Sequence, residues 1–198
     1  MNLNALPFIT WLLWGVILSG RIFYLKKKGI KLFSENKERS LGKPSLIPFL
    51  LVFLCWFFEI IRAAFNISFS VLPGFLTQYL FHHYILQMVG SAFLLLGTIV
   101  FTITLKDFGS SLRFGLHTQD QGPLVTSGIF RFSRNPFFLS LESYFTGTAF
   151  ILPNIFLIAF TLAAIIGIHY FILREERFLI KTYGHKYLEY KQKVRRYL

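Results

Sequence analysis

Residues 137–172 form a largely apolar block of 36 residues with Leu152-Pro153-Asn154 near its middle. As a single helix the block would be about 54 Å long at 1.5 Å per residue, well over the ~30 Å hydrocarbon core of a bilayer. Proline removes a backbone donor and asparagine tolerates a turn. The block is therefore read as a tight helical hairpin, with spans at 137–152 and 154–172 that enter and leave a membrane side by side.

Three more runs, 6–25, 46–65 and 84–105, are long and apolar enough to cross a bilayer. A mean hydropathy of +0.55 with 15% charged residues excludes an ordinary soluble domain. The expected fold is all-α: one polytopic membrane domain over 1–198, with about five transmembrane helices and a tail at 174–198. No repeat or low-complexity linker divides the chain.

The basic residues are distributed unevenly. The 21–43 connection carries eight, the 66–83 connection none, the 106–136 connection four and the 174–198 tail eight, with Arg62 left inside the second span. The positive-inside rule puts the rich side in the cytoplasm and the N-terminus outside. The charges of the first span follow its apolar run, the reverse of a signal peptide. The net charge of +12 is thereby explained by topology, and no nucleic-acid partner is expected. The tail, "KTYGHKYLEYKQKVRRYL", reads as an interfacial segment meeting anionic membrane lipids.

Polar groups within the spans are few, and charges in lipid are costly enough to be functional candidates. Glu59 and Arg62 could pair along one helix face but lie near the outer end of their span, where reaching out to water is expected. His82 and His83 lack a carboxylate or thiol at ligand spacing, so no metal site is expected. Cys55 has no intrachain disulfide partner. His169 reads as a packed, hydrogen-bonded residue. Glu142 lies about one and a half turns into the hairpin, too deep for casual solvation, and is open between an ion pair and a site residue.

The hairpin brings Arg134-Asn135-Pro136 at its entry beside Arg174-Glu175-Glu176 at its exit. Arginines and carboxylates gathered at a membrane surface can hold a zwitterionic ligand, the guanidinium on a carboxylate and the glutamates on ammonium or hydroxyl groups. They can equally form a salt-bridge lattice that locks the hairpin.

The stretch "LVTSGIFRFSRNPFF" resembles the L-V-x-x-G-x-Y-x-x-x-R-H-P-x-Y signature of the integral-membrane methyltransferases that include isoprenylcysteine carboxyl methyltransferase and the phospholipid N-methyltransferases. "REERFLIKTYGHKYLEYKQKVRRY" is similar to that family's closing segment, and "KDFGSSLR" to its K-x-L-G-x-x-W entry. The resemblance covers about residues 100–198. It implies methyl transfer from S-adenosylmethionine, bound at the cytoplasmic face, to a lipophilic acceptor such as an isoprenylcysteine carboxylate or a phospholipid amine. Carried over residue by residue, it marks Leu124, Val125, Gly128, Arg134 and Pro136, then Glu175, Glu176, Tyr183, Gly184, Tyr187 and Tyr190. Asn135 stands where the family often has His, and Phe130 and Phe138 where it often has Tyr.

The implied cofactor-binding set is Leu124, Val125, Gly128, Arg134, Asn135, Pro136, Phe138, Glu175 and Glu176. Arg134, Glu142 and Glu176 are the residues expected to carry the chemistry, Glu142 as base if the acceptor needs one. A nicotinamide-dependent sterol-type reductase carries a similar arginine-proline stretch, and a non-catalytic scaffold could use the same clusters. The short chain and the paired glutamates favour methyl transfer.

Overall fold

Leu152, Pro153 and Asn154 are buried in the turn that breaks the apolar block. The Asn154 side chain accepts a hydrogen bond from Leu157 N at 2.8 Å, capping the helix that follows. The turn is also pinned from outside, since Leu80 N donates to Pro153 O at 2.8 Å. A computed structural model describes residues 3–30, 46–112 and 122–198.

The helices are α1 (Leu6–Lys27), α2 (Leu46–Phe65), α3 (Gly74–Thr77), α4 (Tyr84–Asp107), α5 (Pro136–Ile151), α6 (Ile155–Tyr183) and α7 (His185–Lys193), with no strand among the described residues. Four of them, α1, α2, α4 and α6, have the length and apolar composition to cross a membrane. Helix α5, the first arm of the hairpin, has 16 residues and is about 24 Å long, short of a full ~30 Å core. Helix α6 has 29 residues and continues 11 beyond the apolar span ending at 172. Its extension, "LREERFLIKTY", holds straight-chain helix formers and no Gly or Pro. Gly184, at φ 56°, ends it.

Small residues let α4 and α5 approach closely. A Cβ on Gly90 would lie 2.7 Å from Gly147 O, and one on Gly97 3.2 Å from Ser140 O. Without a hydrophobic driving force between helices in lipid, such backbone proximity supplies the packing. Trp14 of α1 stacks on Phe101 of α4 at 4.1 Å and donates to Thr98 Oγ1 at 2.9 Å. The Tyr144 hydroxyl of α5 donates to Pro7 O at 2.8 Å.

These contacts sort the connections by end. Asn4, Gln87 and Ile151 meet at one end through the Gln87 amide, which donates to Asn4 Oδ1 and Ile151 O. At the other end Arg21 donates to Gly109 O at 2.9 Å. Lys26, Lys27 and Lys106 lie in the last turns of α1 and α4 at this second end.

Glu59 departs from the expectation that it reaches out to water. It is 1% exposed and takes three hydrogen bonds from Arg62 at 3.0–3.1 Å. Arg62 also donates to Thr77 O at 3.4 Å, so α3 and its flanks fold over the pair. Burial is tolerated because the guanidinium satisfies both carboxylate oxygens.

Candidate functional site

Four elements converge at the basic end: the end of α4, the 122–135 connection, the start of α5 and the extension of α6 with α7. Asp107 closes α4 by accepting from Ile129 N at 2.7 Å. Gly128 lies against that carboxylate at φ 61°, where an added Cβ would overlap Asp107 Oδ2. Its role is to bring the 122–135 connection onto α4, as only glycine fits both the conformation and the space. Gly128 does not line the cavity described below.

Arg134 and Glu176 meet across the hairpin mouth, Nη2 to Oε1 at 2.8 Å, with side chains 6% and 4% exposed. Arg196 adds a two-pronged contact, Nε to Oε1 at 3.1 Å and Nη2 to Oε2 at 3.0 Å. Lys191 Nζ lies 4.0 Å from Oε2, and Arg134 Nη1 donates to Lys191 O at 2.9 Å. The hydrogen bond to Glu176 holds the Arg196 guanidinium above its ordinary pKa, and the charge of Glu176 adds to the effect. Glu176 is thus saturated by protein donors. One guanidinium nitrogen of Arg134, Nε, is buried with no partner.

The segment 194–198 straps this cluster to the start of α5. Arg134 N donates to Arg195 O at 3.0 Å. Ser133 Oγ and Asn135 Nδ2 both donate to Arg196 O, at 3.2 and 3.1 Å. Asn135 therefore spends its amide on the strap.

Successive residues of a helix point about 100° apart, so Glu175 faces away from Glu176. It faces a cavity lined by Leu124, Val125, Arg134, Asn135, Pro136 and Phe138, with Phe108, Phe130, Phe178 and Tyr187 among its aromatic walls. Glu175 Oε2 is buried there with no hydrogen-bond partner. Tyr190 closes the floor by donating to Phe130 O at 2.6 Å. Burial raises the pKa of both Tyr187 and Tyr190, which keeps their hydroxyls protonated. The cavity is about 130 Å³, and Ser111 and Pro123 form part of its rim. That is below the ~300–1,000 Å³ of small-molecule sites, so a nucleoside-sized ligand would fill it and extend past the rim.

The residues fit a zwitterionic nucleoside: aromatic faces for a base, a partnerless carboxylate for ammonium or ribose hydroxyls, and a partnerless guanidinium N–H for a carboxylate. Of the expected set, Leu124, Val125, Arg134, Asn135, Pro136, Phe138 and Glu175 line this cavity. Glu176 stands behind it as the anchor of Arg134. Glu142 belongs to a different place, a groove shared with His169 and Tyr197.

Arg196 was not singled out from the sequence, although it lies within the tail stretch that resembles the family's closing segment. Nothing in the sequence pattern points to the aromatic wall Phe178, which faces the cavity only because α6 stays helical beyond residue 172.

A family model for phospholipid methyltransferases matches residues 85–186. The chain is 29% identical to a probable protein-S-isoprenylcysteine O-methyltransferase of Oryza sativa subsp. japonica, over 64% of this chain and 70% of that one. It is 31% identical to a protein-S-isoprenylcysteine O-methyltransferase of Xenopus laevis, over 55% of this chain and 39% of that one. The structure of the eukaryotic intramembrane Ras methyltransferase ICMT superposes with a TM-score of 0.54 at 22% identity, covering 81% of this chain and 56% of that one. The likeness to that structure is one of fold, and this chain spans just over half its length.

Proposed function

The chain belongs to the phospholipid methyltransferase family, and from that premise we propose that it transfers a methyl group from S-adenosylmethionine to a lipophilic acceptor held in the bilayer. The reading extends to the side of action, the cytoplasmic face, because the cavity opens at the end that carries nearly all the basic residues among those described.

The observation that carries the proposal is Glu175, whose Oε2 is buried without a partner beside an aromatic-walled cavity that Arg134, with its own partnerless Nε, also lines. Buried polar atoms without partners are rare, and two of opposite sign beside one cavity complement a zwitterion. S-adenosylmethionine, when bound, supplies an activated methyl on a sulfonium sulfur. The rest of the work falls to the protein's own residues. Glu175 accepts from the ligand's ammonium or ribose hydroxyls, and Arg134 Nε donates to its carboxylate. Glu176, Arg196 and Lys191 hold Arg134 in one orientation, which matters because displacement at carbon depends on alignment at about 3–3.5 Å. Phe108, Phe130, Phe138 and Tyr187 exclude water from the cavity.

S-adenosylhomocysteine is expected to raise the thermal midpoint of the detergent-solubilised protein, since a ligand selective for the folded state stabilises it by mass action. Reduced nicotinamide cofactors are expected to leave the midpoint unchanged. The opposite pattern would replace methyl transfer by the reductase reading.

A further inference from the structure

The connection between α2 and α4, residues 66–83, holds no lysine, arginine, aspartate or glutamate. Among its side chains Phe69 is 65% exposed, Val71 57%, Phe75 68% and Leu80 53%. Large apolar side chains gathered on one short connection mark a surface that meets something other than water.

Its contacts set its depth. Asn66, at φ 52°, ends α2 in the left-handed conformation, and Ile67 N donates back to Arg62 O at 3.0 Å. That ending turns the chain off the helix axis instead of letting it run on outward. Phe69 then packs edge-on against Phe58, with ring centroids 6.1 Å apart. Phe58 is seven residues, about 10 Å, below the end of α2 at Phe65, so the chain has turned back along the span it left. Arg62, also below that end, donates to Thr77 O at 3.4 Å. Leu80 N donates to Pro153 O at 2.8 Å, and Tyr79 pairs with Asn154 as in an antiparallel bridge.

The hairpin turn requires this low position. At about 24 Å, α5 falls short of a ~30 Å core, and Gln87, in the first turn of α4, donates to Ile151 O. The Pro153 carbonyl therefore lies at the depth of a span, where an unpaired carbonyl is costly. Leu80 N is its donor. Further polar groups of the connection pair internally: Ser70 Oγ donates to Leu72 O at 2.9 Å, and Gln78 N to Gly74 O at 2.8 Å. The occupant of the outer surface follows from continuity. Phe65 ends α2 exposed, and Tyr84 and Ile85 begin α4 exposed, on two helices with the length and composition of membrane spans. The apolar connection thus joins two lipid-facing surfaces.

We propose that residues 66–83 form a re-entrant cap embedded in the leaflet opposite the basic end, with lipid acyl chains against Phe69, Val71, Phe75 and Leu80. Its partner is lipid hydrocarbon, and its role is to close the hairpin turn and the Glu59–Arg62 pair off from water. The proposal is independent of the reaction carried out at the basic end.

The test uses the full chain in dioleoylphosphatidylcholine vesicles. Spin labels are placed singly at Val71→Cys and Leu80→Cys, with Leu95→Cys as the lipid-facing reference and His185→Cys as the aqueous one, all combined with Cys55→Ala. Leu95 is 63% exposed on α4, and the His185 side chain is 84% exposed. Labels at 71 and 80 are expected to collide several times more often with molecular oxygen than with a water-soluble nickel chelate, as at 95, and the ratio is expected to invert at 185. A ratio at 71 and 80 matching that at 185 would overturn the proposal by placing the connection in water. Exclusion of both reagents would overturn it by showing a protein cover, such as a second copy of the chain. The unaltered protein gives an independent reading: a phosphatidylcholine with a photoreactive diazirine on its acyl chain is expected to crosslink to peptides from 66–83 as well as to α4. Crosslinks to the helices with none in 66–83 would overturn the proposal with no variant involved.

Discussion

Arg134 Nη2 lies 2.8 Å from Glu176 Oε1, joining the entry of the hairpin to its exit through side chains that are 6% and 4% exposed. Neither group reaches interfacial water, so the pair is a structural joint as well as part of the site wall. Removing one partner of a buried pair typically costs about 3–5 kcal/mol, because the other charge is left uncompensated. Glu176→Ala, which strands the guanidinium groups of Arg134 and Arg196, is expected to lose about that much stability, and Arg134→Ala less, because Arg196 still holds both Glu176 oxygens; each is expected to weaken S-adenosylhomocysteine binding. The double variant should be much less destabilised than the sum of the two, and a double-mutant cycle of thermal or chemical unfolding in detergent measures this coupling. Additive losses would mean that the joint is not formed.

The hairpin itself was legible from residues 152–154, because proline and asparagine in the middle of a largely apolar 36-residue block leave few alternatives. The neighbouring of Arg134 with Glu176 followed from that topology. Which glutamate faces the cavity did not, because it depends on α6 remaining helical through 183 and thereby separating Glu175 from Glu176 by about 100°. The α4–α5 contact was written in two sevenfold spacings, Gly90 with Gly97 and Ser140 with Gly147, but such spacing acquires meaning only once the two helices are known to pack together. Glu59 misled the sequence reading because depth along a span does not reveal that α3 folds over its end.

The uneven basic residues predict membrane orientation. Cysteine labelling or reporter fusions at positions 75 and 188 are expected to report outside and inside respectively. An inside result at 75 would turn the cavity to the opposite face and remove the cytoplasmic site of action.

Close approach of α4 and α5 predicts a contrast between glycines. A Cβ on Gly90 would meet Gly147 O at 2.7 Å and side-chain atoms of Ile151 and Phe150 at 2.9 Å, whereas one on Gly15 or Gly167 would meet nothing within 4 Å. Gly90→Ala is expected to cost about 1–3 kcal/mol through overpacking. Gly15→Ala and Gly167→Ala should be neutral or slightly stabilising, since alanine loses less backbone freedom in a helix. Thermal midpoints of the three variants in one detergent provide the check.

Glu175 offers the sharpest separation of stability from function. Its Oε2 is buried and takes no hydrogen bond from the protein, so the folded chain holds a carboxylate whose desolvation is uncompensated. Glu175→Gln keeps the shape, removes the charge and relieves the like charge of adjacent Glu176. The variant is therefore expected to unfold at the same temperature as the unaltered protein or higher. In the proposed site the same carboxylate accepts a charge-assisted bond of about 1.5–3 kcal/mol from the donor, so its loss should weaken S-adenosylhomocysteine affinity roughly ten- to a hundredfold. Calorimetric affinity measured beside the thermal midpoint separates this outcome from that of Glu176→Ala, where both quantities fall together. A Glu175→Gln protein that binds S-adenosylhomocysteine normally would show that the cavity's partnerless carboxylate has no part in holding the donor.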